Sequence, residues 1–240
     1  DGQSSRGLGD VYKRQKYSVF SLIKNAFSNH QNWEVAWKDP TPKSEYDVVI
    51  IGGGGHGLAT AYYLAKEHNI RNVAIIEKGW IGGGNVGRNT TIIRSNFMYD
   101  ANARFNEFGM DLWRNLSQEL NFNVMFSPRG IINLAHSDAQ MNAYARRGNS
   151  MRLNGIDAKL LDRDEVKKLI PMADFSDEVR FPIFGGLMQP SAGTARHDAV
   201  AWGYARQADD MGVDIIQHCE VTGFDVVNGK IKGIRTSRGD

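Results

Sequence analysis

The segment from residue 46 to residue 79 constrains the fold of this chain more than any other. It reads YDVVIIGGGGHGLATAYYLAKEHNIRNVAIIEKG, in which an apolar β-branched run enters a glycine turn and a helical stretch follows. A second apolar run then ends in Glu77. Strand, glycine turn, helix, strand and terminal acid together are typical of a βαβ unit that binds a dinucleotide. We predict such a unit here.

The glycines of this turn have separate mechanical tasks. Gly52 lets the strand turn sharply, Gly54 lets the main chain approach a pyrophosphate, and Gly57 lets helix and strand pack closely. The helix that starts near Gly55 points its positive end at the phosphates. Glu77 lies where an acidic side chain accepts hydrogen bonds from a ribose, and its charge disfavours the 2′-phosphate of NADP.

Composition and charge exclude several classes of protein. The 240 residues carry 29 basic and 27 acidic side chains, a net charge of +2, which leaves no electrostatic footprint for nucleic acid. No apolar stretch approaches the roughly 18 residues of a membrane span. The single cysteine, Cys219, permits no intrachain disulfide and is expected to be buried rather than nucleophilic. We expect a soluble, cytoplasmic protein without a metal site.

Both ends of the chain have unusual features. Residues 1–15 have neither helical nor strand periodicity, and we interpret them as non-native adaptor sequence. Residues 16–45 are expected to form an arm, with a helix over 17–28 and an extended linker at Pro40 and Pro42. The chain stops at Asp240 directly after a β-rich segment, so we expect a truncated reading frame.

The middle of the chain mixes helical and strand signals. We predict an α+β insertion over 123–190 between a first dinucleotide-binding part, 46–122, and a second part, 191–240. Before the insertion, the helical spacing of Phe105, Phe108, Leu112 and Leu116 predicts a plain core face. The insertion should contain strands at 123–126 and 130–134, a helix over 138–155 and a helix capped by Asp162 and Glu165.

The last part predicts a return to the first sheet. A helix is expected from Ala195 to Gly212, and VDIIQ after it should form a third parallel strand. The dipeptide Asn228-Gly229 predicts a hairpin with a type I′ turn.

The loop from Gly79 to Arg94 helps to choose between nicotinamide and flavin. A simple NAD dehydrogenase would continue its βα series after Glu77, whereas this chain has a long loop rich in Gly and Asn and then a large insertion. Such a loop offers main-chain amides and polar side chains to a large, stationary cofactor, which favours FAD. These side chains are Asn85, Arg88, Asn89, Thr90 and Thr91.

Three motifs carry a family resemblance. The stretches IIGGGGHGLATAYYLA, IEKGWIGGGNVGRNTTIIRSN and SAGTARHDAVAWGYARQADDMGVDIIQHCEVTGF resemble the FAD-dependent amine oxidoreductases of the D-amino-acid oxidase type. Within that family they are most similar to the β subunits of bacterial heterotetrameric sarcosine oxidases. The implied fold class is α/β: an FAD-binding, Rossmann-like domain of the glutathione-reductase type, interrupted by an α+β substrate domain, with its C-terminal part missing.

The resemblance also implies a reaction and partners. These enzymes oxidatively demethylate sarcosine to glycine: FAD takes a hydride equivalent from the N-methyl group, which leaves an imine. Electrons pass to FMN and then to oxygen, giving hydrogen peroxide, and the one-carbon unit passes to tetrahydrofolate on a partner subunit. The implied partners are the α, γ and δ subunits.

The residues matching the family's FAD contacts are taken from the same motifs. The resemblance implies that non-covalent FAD is held through its pyrophosphate, its adenosine ribose, its flavin side and its adenine. The pyrophosphate would be held by Gly52, Gly54, Gly55, His56 and Gly57, and the adenosine ribose by Glu77. The diphosphate and flavin side would be contacted by Asn85, Arg88, Thr90 and Thr91, and the adenine by the main chain of Val221.

Two further side chains have implied roles with plainer alternatives. His197 matches a histidine bonded covalently to the 8α-methyl carbon of FMN, whereas alone it would read as a helix-start histidine that caps or packs. Arg94 matches the arginine that binds the substrate carboxylate, whereas its plainer alternative is a surface or phosphate-binding arginine. His56 could be imagined as a base, but its place in the phosphate turn favours cofactor packing.

Two rival functions remain open on the sequence. One is a glycine- or dimethylglycine-type oxidase or dehydrogenase without the FMN link. The other is a non-catalytic flavin-binding subunit. We also expect the 240-residue chain by itself to bind FAD poorly and to be inactive, because later residues of related oxidases complete the substrate pocket.

Overall fold

A computed structural model of the chain describes residues 19–31 and 35–239. The chain divides into two compact units. The first unit contains the described residues of Asp1–Asn89, Ser117–Val124 and His197–Asp240, and the second contains Thr90–Leu116 and Met125–Arg196. The interpretation of residues 1–15 lies outside the described residues.

The first unit is built on a three-stranded parallel sheet. Strands β1 (Val48–Ile51), β2 (Val73–Ile76) and β8 (Asp214–Ile216) lie in the order β1-β2-β8. All four side chains of the central strand β2 are buried, whereas Val49 and Ile51 of β1 are exposed. Helix α2 (Gly55–His68) joins β1 to β2, so the predicted βαβ unit is confirmed. The third parallel strand is confirmed as well, since β8 pairs with β2.

Helix α6 (His197–Asp210) packs against α2. The rings of Tyr62 on α2 and Tyr204 on α6 meet edge to face with centroids 5.5 Å apart, and both side chains are buried. Burial raises the pKa of both phenols, because an ionised ring would be poorly solvated at the helix interface. The helix begins two residues after the predicted start at Ala195.

A hairpin completes the first unit. Strands β9 (Val221–Val227) and β10 (Lys230–Thr236) pair antiparallel around Asn228 and Gly229. Both turn residues have positive φ, 52° and 73°. Positive φ at both central positions defines a type I′ turn, so the predicted hairpin and turn are confirmed.

The N-terminal arm contains helix α1 (Val19–Phe27) and an extended segment that contacts the first unit. Along the segment, Lys38 N–H donates to the Asp209 carboxylate (3.0 Å), and the Tyr46 hydroxyl donates to Asp214 (3.0 Å). Helix α1 exposes most of its apolar side chains, with Phe27 at 88%. Trp33, which belongs to the same arm, lies outside the described residues.

The second unit has an antiparallel sheet of its own. Strands β4 (Ile131–Ala135), β6 (Gly185–Gln189) and β5 (Lys159–Asp162) lie in the order β4-β6-β5. A separate two-stranded pair joins β3 (Ile92–Ile93) to β7 (Gly193–Thr194). The helices are α3 (Asp100–Glu119, to residue 116 in this unit), α4 (Asp138–Leu153) and α5 (Arg163–Leu169).

Local signals explain the bounds of these helices. Helix α4 is capped by Ser137, and Gly155, in the left-handed region at φ 79°, follows its end. The capping box at the start of α5 is complete: Glu165 N–H donates to the Asp162 carboxylate (2.8 Å), and Asp162 N–H donates to Glu165 (2.9 Å). These helix predictions are confirmed.

Two predictions for this region are wrong. Residues 123–126 form no strand; Ser127, just after them, makes only an isolated bridge to Thr194. The helical face of α3 is not a plain core face, because Phe105 and Phe108 are 76% and 64% exposed while Leu116 is buried. Helical spacing identifies residues that share a face but not whether anything covers it.

Candidate functional site

The glycine turn between β1 and α2 depends on close main-chain contacts. Gly52 has φ 110°, which non-glycine residues rarely adopt, and its N–H donates to the Ile76 carbonyl (2.8 Å). A Cβ on Gly57 would lie 2.0 Å from the Gly52 carbonyl oxygen and 3.3 Å from Ile50 Cγ2. Strand and helix can approach this closely only because residue 57 lacks a side chain.

Glu77 follows β2 directly and joins two loops. Its Oε2 accepts a hydrogen bond from Gly53 N–H (2.7 Å), and its Oε1 accepts one from Gly79 N–H (2.8 Å). The main chain of Glu77 is held too, because its N–H donates to Ile216 O (2.9 Å). A carboxylate oxygen has two acceptor sites, so each oxygen retains one for a ligand hydroxyl.

A cleft of about 720 Å³ opens beside this turn, at the carboxyl ends of the parallel strands. That edge is where α/β sheets bind their ligands. The predicted residues that line it are Gly52, Gly54, Glu77, Arg88 and Val221. The cleft has further lining residues that no sequence motif indicated, namely Trp80, Gly83, Gly84, Cys219 and Glu220. Their signal was position, since they lie in the loops that follow β2 and β8.

Other predicted residues of the first unit adjoin the cleft without lining it. The exposed side chain of His56 lies in the first turn of α2. Asn85 begins a 3₁₀ helix, Asn85–Arg88, and is also exposed. The neighbouring Val86 would contact a Cβ on Gly55 at 3.3 Å, so the 3₁₀ helix packs against the start of α2.

His197 is the first residue of α6 and has an unusual ring environment. Its Nδ1 atom is buried and has no hydrogen-bond partner within the described part of the chain. A buried polar atom without a partner is destabilising, so native proteins rarely retain one without a reason. Helix capping by this nitrogen is therefore not its role here.

Thr90, Thr91 and Arg94 belong to the second unit. Thr91 has φ 61°, and its carbonyl accepts a hydrogen bond from Ala195 N–H (3.0 Å). Arg94 directly follows β3, where its Nη1 donates to Asn96 Oδ1 (2.7 Å) and its guanidinium lies 5.2 Å from the Phe97 ring centroid.

Arg94 lines a groove of about 330 Å³. Apart from Arg94, Asn106 and Gly109, the groove is walled by apolar side chains from β3 and α3: Ile92, Ile93, Phe105, Phe108, Leu112 and Trp113. One guanidinium among apolar walls suits a small molecule that carries a carboxylate and a short apolar group.

Buried polar residues beside Arg94 were not anticipated from the sequence. Ser95, Asn96 and Gln189 are each at most 1% exposed. The Gln189 amide accepts from Ser95 N–H (3.1 Å) and donates to Ser95 Oγ (2.7 Å), and Ser95 Oγ donates to Glu107 (2.6 Å). Partners 94 positions apart along the chain leave no local signal.

Comparisons with known proteins agree with this arrangement. A sequence model of the family described as FAD dependent oxidoreductase, DAO, matches residues 47–240. The sarcosine oxidase subunit beta of Rhizobium meliloti (strain 1021) is 61% identical over 224 residues, which are 93% of this chain and 54% of that protein. Its counterpart from Rhodobacter capsulatus is 52% identical over 225 residues, 94% of this chain and 54% of that protein.

Solved structures are similar as well. L-proline dehydrogenase from P. horikoshii has a TM-score of 0.75 and 30% identity, covering 82% of this chain and 50% of that one. Glycine oxidase from Bacillus cereus has a TM-score of 0.71 and 25% identity, covering 81% and 52%. These likenesses confirm the predicted fold class. The chain spans about half the length of the curated relatives it matches.

Proposed function

The chain belongs to the DAO family of FAD-dependent oxidoreductases, and on that premise we propose that it acts within the β subunit of a sarcosine oxidase. The observation that carries the proposal is the 61% identity to a sarcosine oxidase subunit beta over 93% of this chain. The cleft at the glycine turn and the guanidinium in an apolar groove support it, because the reaction needs a dinucleotide and a bound amino acid.

The cleft residues fit FAD. No atom lies within 4 Å of a Cβ position on Gly52, and the nearest to one on Gly54 is 3.9 Å away, so a diphosphate can reach the main chain. The first-turn N–H groups of α2 and the acceptor sites left on Glu77 would bind phosphate and ribose. The proposed contacts are Gly52, Gly54, Gly55, His56, Gly57, Glu77, Asn85, Arg88, Thr90, Thr91 and Val221.

We assign the substrate to the second unit, with residues 123–190 as the core of the substrate domain. FAD, when bound, supplies an acceptor for the hydride equivalent that leaves the N-methyl group of sarcosine. Arg94 would bind the substrate carboxylate through paired N–H donors, and a planar guanidinium does this with defined geometry. The apolar side chains of the groove would contact the methyl group of the substrate.

His197 is proposed as the covalent attachment site of FMN. Its buried, unpartnered Nδ1 supports the assignment, because bonding or hydrogen bonding to a cofactor would satisfy the ring. A neutral imidazole is a nucleophile near neutral pH. FMN would carry electrons onward to oxygen, giving hydrogen peroxide. The α, γ and δ subunits would be the partners, and tetrahydrofolate would receive the one-carbon unit.

Mass spectrometry tests the FMN assignment directly. The full-length subunit is co-expressed with its partner subunits, purified and digested with trypsin. The peptide 197–206, HDAVAWGYAR, should be heavier by FMN less two hydrogen atoms. A His197→Asn variant should lose the covalent flavin and keep FAD. An unmodified peptide in a complex that retains FAD would exclude this enzyme class and favour a glycine- or dimethylglycine-type enzyme.

Turnover distinguishes an enzyme from a non-catalytic flavin subunit. The complex should reduce its flavin when sarcosine is added without oxygen, and should form hydrogen peroxide when oxygen is present. An Arg94→Gln variant should need a higher sarcosine concentration for half-maximal rate. Failure of sarcosine, glycine and dimethylglycine alike to reduce the flavin would reject catalysis.

A further inference from the structure

Arg94 is held in place by a side chain that is itself fixed. Asn96 is 1% exposed, and its Nδ2 donates to Asn133 Oδ1 (2.9 Å). That bond sets the orientation of the amide, so that Oδ1, the acceptor, faces Arg94 Nη1 at 2.7 Å. If the Asn96 amide were rotated, its NH₂ group would face the N–H of Arg94, and two donors would oppose each other. Asn133 thus orients Asn96, and Asn96 orients the guanidinium.

A second arginine holds the main chain of the same residue. Arg147, on α4, donates from Nε to the Asn96 carbonyl (3.0 Å) and also contacts it through Nη2. Two donors from one rigid guanidinium fix the carbonyl more firmly than one flexible contact would. Arg147 therefore anchors the main chain of Asn96, and Asn133 anchors its side chain.

The two guanidinium groups leave positive charge uncompensated. No carboxylate of the described residues forms an ion pair with Arg94 or Arg147. The pKa of Arg147 is lowered by burial and by the nearby charge of Arg94. Half-buried cations without a counter-ion are costly, and a bound anion relieves the cost.

We propose that Asn96 and Arg147 are positioning residues that hold Arg94 ready to receive a substrate carboxylate. Asn96 occupies a single N–H of Arg94, which leaves four of its five donors for a ligand. Arg147 anchors Asn96 and adds a positive field without lining the groove itself. The inference rests on the proposed role of Arg94 and deepens it.

Carboxylate binding in the full-length subunit, co-expressed with its partners, tests the proposal. Acetate is the probe, because it has the carboxylate but no oxidisable amine, and the flavin absorbance reports its binding. Asn96→Leu and Arg147→Gln should each weaken acetate binding and raise the KM for sarcosine by about tenfold. The kcat should stay within about twofold, because neither residue contacts the reacting atoms.

Matched variants separate positioning from loss of structure. Arg146→Gln removes the exposed neighbouring charge on the same helix and should bind acetate like the wild type. Arg147→Lys keeps the charge but not the paired donors, so its binding should fall between those of wild type and Arg147→Gln. If Asn96→Leu does not fold, Arg147→Gln and Arg147→Lys still test the positioning role, because they act on the main chain of Asn96.

The outcomes distinguish this inference from the proposed function. Normal acetate binding in Asn96→Leu and Arg147→Gln, together with a defect in Arg94→Gln, overturns the positioning role and leaves Arg94 assigned. Normal binding in Arg94→Gln overturns the assignment of Arg94 itself. An equal defect in Arg146→Gln also overturns the inference, because it would show a general effect of charge on α4.

Discussion

Glu77 Oε2 lies 2.7 Å from the main-chain nitrogen of Gly53, so the acid that follows β2 also holds the turn that follows β1. The other oxygen of the same carboxylate holds Gly79 in the loop beyond β2 (2.8 Å). Glu77 is therefore a brace between two segments of the cleft as well as a candidate ribose ligand. Its loss should disturb the cleft even in the absence of FAD.

Glu77→Gln should weaken both the fold and cofactor binding. Two N–H donors face the two carboxylate oxygens, and a glutamine offers one oxygen and one NH₂ group, so one donor loses its acceptor. We expect a loss of about 1–3 kcal/mol in the free energy of unfolding and weaker FAD binding. Thermal unfolding and FAD titration of the full-length subunit measure these effects. Glu67→Gln, on the exposed side of α2, is the control and should change neither.

Gly57→Ala tests the packing of α2 on β1. The new Cβ would lie 2.0 Å from the Gly52 carbonyl oxygen, so the helix or the turn must move. We expect destabilisation of about 1–3 kcal/mol or more and loss of FAD binding. Gly109→Ala in α3 is a matched control, because no atom lies within 4 Å of its Cβ position. It should be neutral or stabilising by up to about 1 kcal/mol. Equal destabilisation by both substitutions would contradict the contact.

The exposed face of α3 should contribute little to the stability of the described chain. Phe108 is 64% exposed, so Phe108→Ser should lower the free energy of unfolding by less than about 1 kcal/mol. Leu116 lies on the same helix and is 2% exposed, so Leu116→Ala should lower the free energy of unfolding by about 2–5 kcal/mol. Urea unfolding of the 240-residue chain compares the two. A large loss at Phe108 would indicate that this face is covered.

The capping box of α5 should be measurable as well. Asp162→Ala removes the acceptor for Glu165 N–H and should cost about 1 kcal/mol. Asp162→Asn keeps an acceptor oxygen and should recover most of that loss. Chemical denaturation of the same chain reports both changes. Equal stability of Asp162→Ala and the wild type would mean that this helix end frays without cost.

The sequence predicted the parts of the fold that local chemistry determines. The run Val48–Ile51, the glycines after it and Asn228-Gly229 each encode their conformation within a few residues, and the structure agrees with all of them. The prediction of a strand at residues 123–126 was wrong, because it rested on apolar residues alone and no neighbouring strand pairs there. Local pattern does not reveal the presence of a pairing partner.

The same distinction between local motifs and distant contacts applies to the candidate site. Gly52, Gly54 and Glu77 form a motif with fixed spacing, so the sequence indicated their cleft. The contacts around Arg94 could not be anticipated, since Asn96 meets Asn133 and Arg147, which are 37 and 51 positions away. Such contacts depend on how the sheet and α4 of the second unit pack, which no short segment specifies.

The central place of β2 has a consequence for motion. Its side chains are all buried, and the Glu77 N–H that follows it is bonded to Ile216 O of the neighbouring strand β8. Local unfolding occurs more readily in loops than in fully buried strands. The amide hydrogens of β2 should therefore be among the slowest in the unit to exchange with solvent. The Glu77 carboxylate thus extends from a rigid part of the main chain. Less conformational entropy is therefore lost there when a cofactor binds.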